Sequence, residues 1–472
     1  MALAEMCSEE KPVLLFDAAK SFQKDVARRC NPDGANPTQV MYMGIIPMSE
    51  AKAVSCGGLT LDLLLKFGVL VREVDGTIKL ADDYEAKICY IVGDVKTVDN
   101  IDKIIRDLAD RTLTAEETFE LAEVFEKALK RLIIIPGDWH AGLTMVQSIF
   151  NIFWDSFLEP IKTNLGWQRV NKDARGCYFQ ASRLINFVHT ELITVLMESF
   201  IGKTHLSLMD KFMVQEETDQ SEANYVCFIA KQFSLYITQL SDCDDDWLRT
   251  CSMFITMSQD FFAFVASYRN GDSIGIESGY QTFVGVWKAL GQNRYEERHW
   301  RQQEMLLEKI TYRELEQFRR NRTGRRYHDS TGKSELAIDE CLELANRYLS
   351  QFPRARSLDG FAKQGNYVGM SIMCKRFIQM VYSLSTNDRQ NTVYRSGSSP
   401  RCIAERARIR EIFYLVNTTS MDNTRKKYSR TIISSIPKSK FKTVLTDRSI
   451  EDRMKSASSK NDDAFLFLSS IG

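Results

Sequence analysis

The chain has 472 residues, 44% of them apolar and 26% charged, the balance of ordinary globular protein of up to about three domains. With 62 Lys and Arg against 62 Asp and Glu, the net charge points to no partner class. The 11 cysteines are scattered, odd in number and without a CxxC pair, which excludes a zinc ribbon and favours a reducing compartment over a secreted disulfide scaffold. The opening MALAEMCSEEK has no apolar signal core, and no uninterrupted apolar run approaches the length of a membrane span. An intracellular chain without a membrane segment is therefore expected.

The first 140 residues alternate strand-like and helix-like text. Val13–Phe16 is a short apolar run ending at Asp17, and Gln39–Ile46 reads as a strand. Ser49–Phe67 reads as a helix. Val69–Val74 and Thr77–Leu80 flank Asp75-Gly76, which predicts a hairpin with a type I′ turn. Lys87–Val92 and Leu132–Ile135 are buried-type strands, separated by helices expected over Val98–Ala109 and Ala115–Arg131. This alternation predicts an α/β sheet with parallel neighbours. From Ala141 the period becomes helical: Ala141–Leu158, Tyr178–Phe200, Glu222–Gln239, Trp247–Tyr268, Tyr280–Leu290 and Tyr295–Arg320, with no convincing strand before the far C-terminus. The glycine-rich Gly271–Gly279 reads as an interhelical turn, and residues 401–416 as an ordered helix.

Both central strands run into a Gly-Asp step, Gly93-Asp94 and Gly137-Asp138. In open α/β sheets ligands bind beyond the carboxyl ends of the strands, so Asp94 and Asp138 are candidate site residues. An equally simple reading makes each the cap of the following helix. His140, two residues past Asp138, is a further candidate. Far downstream, Asp339 and Glu343 share one helical face with Asn346, a pattern that a solvated face would also give.

The ordered set Gly93-Asp94-x-x-Thr97, Pro136-Gly137-Asp138-Trp139-His140, Arg183-Leu184-Ile185-Asn186, Arg294-Tyr295 and Asp339-x-x-x-Glu343-x-x-Asn346 resembles an uncharacterised, transposon-derived domain family over roughly residues 40–355. That family is similar to DDE transposases. The resemblance implies an α/β, RNase-H-like core interrupted by a large all-α insertion, so that the chain is mostly helical overall. It implies a first part of the core over residues 1–140, a helical insertion over 141–330, and an acidic helix completing the core, with further helices, over 331–416; charge and composition, rather than the resemblance, predict a basic, disordered tail over 417–472. The resemblance further implies Asp94 as the second core acid, Glu343 or Asp339 as the last, Asp138 and His140 between them, and Asp17 as the candidate first acid. Asp94, Asp138 and Glu343 would hold Mg²⁺ or Mn²⁺ for two-metal phosphodiester chemistry.

Charge is unevenly spread. From Arg389 to Lys460 there are 17 Lys and Arg against 6 Asp and Glu, a net +11. Arg319, Arg320, Arg322, Arg325 and Arg326 form one basic cluster, and Arg425, Lys426 and Lys427 another. Such clusters fit DNA phosphates and a nuclear address, or merely a solvated surface. Two functions stand at this stage: a divalent-metal nuclease or transposase, able to work as a homo-oligomer, and a catalytically inactive DNA-binding or interaction protein. No P-loop, nucleophile elbow or HExxH helix offers a third chemistry.

Overall fold

The computed structural model describes residues 53–87, 89–109, 116–215, 222–308, 310–325, 335–340 and 400–418. Among them the chain is mostly helical with a few short strands. The apolar runs around Asp17 and at Gln39–Ile46 lie outside the described residues.

Helix α1 (Ala53–Lys66) leads into a hairpin of β1 (Leu70–Arg72) and β2 (Ile78–Leu80). Its turn differs from the type I′ expectation. Gly76 N–H bonds to the Glu73 carbonyl, and Gly76 alone carries the positive φ, 91°. The turn thus starts one residue earlier, and Gly76 ends it rather than occupying its centre.

Strand β3 (Cys89–Gly93) pairs in parallel with β4 (Leu132–Pro136), register Cys89↔Leu132 to Gly93↔Pro136. Parallel pairing needs a long crossover, supplied by α2 (Val95–Ala109) and α3 (Glu116–Leu129). The pair is buried on both faces, which explains its continuous apolar text. Cys89, Leu132, Ile91 and Ile134 meet α1, α2 and α3 through Leu64, Ile101, Ala128 and Leu129. Ile133 and Ile135 face the other way, onto Leu306 and Phe318.

The largest core belongs to the helices. Helix α4 (Asp138–Phe153) passes through a π-helical turn, Trp154–Leu158, into α5 (Glu159–Asn164). Pro160, with no N–H to return to the preceding turn, lies just after it. Then come α6 (Tyr178–Gln215), α7 (Glu222–Gln239), α8 (Asp246–Asn270), α9 (Ser273–Ala289), α10 (Asn293–Glu308) and α11 (Tyr312–Asn321). Phe153, Phe254, Phe264, Tyr268, Tyr280 and Trp287 pack edge to face at its centre, the geometry that ring quadrupoles favour. Asp245 caps α8 through the Trp247 and Leu248 N–H groups, and Gly271 ends it at φ 70°. The expected turn at 271–279 is confined to Gly271 and Asp272. Asp272 already caps α9.

Two further expectations need correcting. The predicted helix over 295–320 is two helices, because Thr311 and Glu314 form a reciprocal capping box that starts α11. Two strands also occur inside the supposedly all-helical stretch: β5 (Thr323–Arg325) pairs antiparallel with β6 (Glu335–Ala337). Helix α12 (Pro400–Thr418) packs along α6. Part of α6, Tyr178–Gly202, is long and apolar enough to cross a membrane by length and composition, but more than half of its most apolar stretch is buried inside the protein.

Candidate functional site at the strand ends

Strands β3 and β4 end side by side, tied by the Gly137 N–H bond to the Gly93 carbonyl at 2.8 Å. Asp94 and Asp138 therefore leave the sheet from neighbouring points, yet they go to different places.

Asp94 is exposed. Its Oδ1 accepts the Thr97 N–H at 2.7 Å and caps α2. Asp138 is only 4% exposed and turns inward. Arg322 Nε and Nη2 donate to its two oxygens, each at 3.0 Å, and the Tyr280 hydroxyl donates to Oδ1 at 3.0 Å. This is a two-pronged, charge-assisted contact in a dry setting. Burial pushes the Asp138 carboxyl upward, and the Arg322 guanidinium opposes that shift. Arg322 itself lies over the Tyr280 and Phe318 rings, and His299 stacks on the Tyr280 ring.

Asp339 arrives from β6, 2% exposed. Its Oδ1 accepts the Trp139 N–H at 3.1 Å, while Oδ2 accepts the His140 N–H and faces His140 Nδ1, both at 3.0 Å. Asp339 thus caps α4 from 200 residues away in sequence, meeting the helix's unpaired N–H groups and its positive dipole end. The local cap position, Gly137, has no side chain to offer. A Cβ there would sit 2.5 Å from Asp339 Cγ and 2.9 Å from its Cβ, so glycine is what admits the distant carboxylate. The next residue, Glu340, pairs with Arg269 at 2.8 Å.

Tyr295 borders the site. Burial pushes its phenol up to about 12; a Thr144 hydrogen bond works against this, and the charges of Asp339 and Asp94 add to it. The Tyr295 hydroxyl donates to the His140 carbonyl at 3.5 Å, next to the Asp339 cap, whereas Asp138 belongs to the Arg322–Tyr280 cluster.

Among the described residues no group of three or more His, Cys, Asp or Glu side chains is placed to hold a metal ion. The donor chemistry explains this. Both oxygens of Asp138 are committed to Arg322 and Tyr280, and both oxygens of Asp339 to the α4 N-terminus and His140. The described residues therefore do not fit a pair of divalent cations bridged by carboxylates. Asp17 and Glu343 lie outside the described residues.

The arginine cluster is likewise committed where it is described. Arg322, expected along a phosphate backbone, is instead a core residue. Arg319 donates to Glu277 at 3.0 Å. The side chains of Arg320 and Arg325, and the whole of Arg326, Arg425, Lys426 and Lys427, are outside the description. Sequence reading missed Tyr280 and the burial of Arg322. The available signal was the i, i+4 spacing of Phe318 and Arg322, since Arg322, just past the end of α11, keeps a helical backbone and turns to the same buried side as Phe318.

Residues 11–359 match the model of the Family of unknown function (DUF6589). The chain belongs to this family. No curated protein and no solved structure matches it. The family match takes in both Gly-Asp steps, Tyr295, Arg322 and Asp339, and ends before α12. An uncharacterised domain family was expected from the ordered motifs, and the match agrees with that expectation.

Proposed function

We propose that this chain is a transposase-derived, RNase-H-like protein that binds DNA in the nucleus and whose strand-end acids anchor structure instead of holding metal. The observation that carries the reading is the full commitment of Asp138 and Asp339. One is neutralised by a buried arginine, and the other caps a helix. The derivation from a transposase is supported by the βαβ crossover that starts at Asp94 and ends at Asp138, followed by a long helical stretch after which Asp339 comes back to the strand ends. DNA binding is supported by the net +11 between Arg389 and Lys460, since clustered Lys and Arg displace counterions from phosphates.

The test is duplex DNA binding by fluorescence anisotropy across a salt series, with Mn²⁺ or with EDTA, alongside a cleavage assay on the same DNA. Affinity should fall steeply with salt, be the same in Mn²⁺ and EDTA, survive Asp94→Asn and drop in Arg425→Gln/Lys426→Gln/Lys427→Gln. Cleavage that requires Mn²⁺ and vanishes in Asp94→Asn would overturn the inactive reading.

That second outcome corresponds to the nuclease alternative, which one observation favours. Asp94 is exposed at a strand end, where a ligand can reach it.

A further inference from the structure

Helix α12 lies beyond the residues that match the family, yet it is part of the main core. Cys402, Ile409 and Phe413 are buried in the same cluster as α6 and α8, and Phe413 meets the Trp247 ring at 6.3 Å between centroids. The surface beneath it is unusual for a core helix. Glu191, in the apolar stretch of α6, has a side chain with 0% exposure, and its two oxygens accept from Arg406 Nε and Arg410 Nε.

Two turns earlier on α6, the charges are reversed. Arg183 lies 3.7 Å from Glu405 and donates to Cys402 Sγ at 2.9 Å, while its guanidinium covers the Trp167 and Phe187 rings. The Trp167 indole N–H also donates to Glu405, at 3.1 Å. Positive then negative along α6 therefore meets negative then positive along α12, with the two helices running in the same direction. Shifting or reversing α12 would bring like charges together or leave Glu191 buried and unpaired. Both outcomes are costly, so the pattern selects one partner helix in one register.

We infer that α6 carries a charge-keyed groove whose specific occupant is this chain's own segment 400–418, and that Glu191 is the residue that holds it there. The consequence is positional. Six residues separate Thr418 from Arg425, and at a maximum of about 3.6 Å per residue the first residue of the basic run can lie no more than roughly 25 Å from the end of α12. The groove thus fixes where the chain can deliver its basic C-terminal residues, whatever they bind.

Amide hydrogen exchange on the full chain tests this. In Glu191→Gln, the amides of α12 should exchange at least tenfold faster while those of α8 stay within about twofold of the unaltered chain, on the ordinary relation between exchange and local opening. Adding Arg406→Gln/Arg410→Gln to Glu191→Gln should change α12 no further, because the three side chains act as one contact. Unchanged α12 exchange in Glu191→Gln would overturn the inference. So would equal acceleration of α12 and α8, which is general destabilisation, or an independent further loss from the arginine changes. Should Glu191→Gln not fold, Arg410→Gln, whose side chain is 37% exposed, offers the milder version with the same selective outcome required.

Discussion

Asp94 and Asp138 occupy equivalent steps at the ends of neighbouring strands, and their environments separate them. Asp94 faces solvent and caps a helix, a task asparagine performs as well. Asp138 neutralises Arg322, whose side chain is 1% exposed. Removing Asp138 leaves the buried Arg322 with only Glu277, 3.6 Å away, as a carboxylate partner among the described residues, at a cost of about 3 kcal/mol, the lower end for breaking a buried pair. Asp138→Asn should therefore lower the unfolding free energy by that amount in a urea titration at pH 7, and Asp94→Asn should barely change it. Joint replacement, Asp138→Leu with Arg322→Met, should recover most of the loss, since apolar groups of similar size need no partner. Equal effects of the two asparagine variants would contradict the assignment of Asp138 as the structural acid.

At the scale of elements, helix contacts are set by where side chains are missing. A Cβ on Gly279 of α9 would stand 2.6 Å from Phe264 Cδ2 and 2.9 Å from Phe264 Cβ. Gly279→Ala must push α8 and α9 apart, and the roughly 1–3 kcal/mol of overpacking outweighs the roughly 1 kcal/mol that alanine gains in helix propensity. Gly202 of α6 has nothing within 4 Å of its Cβ position, so there only the propensity gain remains. Thermal unfolding should show Gly279→Ala below and Gly202→Ala above the unaltered chain. The same elements show what was legible in the sequence. Strands β3 and β4 could be read because burial on both faces makes their text continuously apolar, and α7 because its period is unbroken between polar ends. The break between α10 and α11 was hidden by an apolar period that runs across it, although Thr311 and Glu314 spell the capping box. Strands β5 and β6, three residues each, are too short to display any period. At the site, Asp94 could be read from its strand, but the partner of Asp138 lies 184 residues away among other arginines, and no local pattern marks which arginine is buried.

For the whole molecule, two histidines shielded from water, His299 buried and His189 half-buried, contribute to how stability responds to acid. Burial holds His189 and His299 down at about 4, with Arg322 adding to the effect at His299. His189 Nδ1 faces the Ser258 hydroxyl at 2.7 Å, and His299 lies flat on Tyr280. Both are neutral in the folded chain, whereas an unfolded histidine takes up its proton near 6.5. The unfolded state thus binds more protons between those values. The stability contributed by keeping the rings neutral is complete above pH 6.5 and is lost as the pH falls towards 4, by up to about 1.4 kcal/mol per pH unit for each ring. Asp260, whose carboxyl burial pushes up, works in the opposite sense at the acid end, so the cleanest window is about pH 5 to 7. Denaturant midpoints should fall as the pH is lowered from about 7 to about 5. His299→Phe keeps a flat ring on Tyr280 but binds no proton, and should remove about half of the slope. A slope unchanged by His299→Phe would mean that this ring already carries its proton in the folded protein, and that the Tyr280–Arg322–Asp138 cluster tolerates a second positive charge.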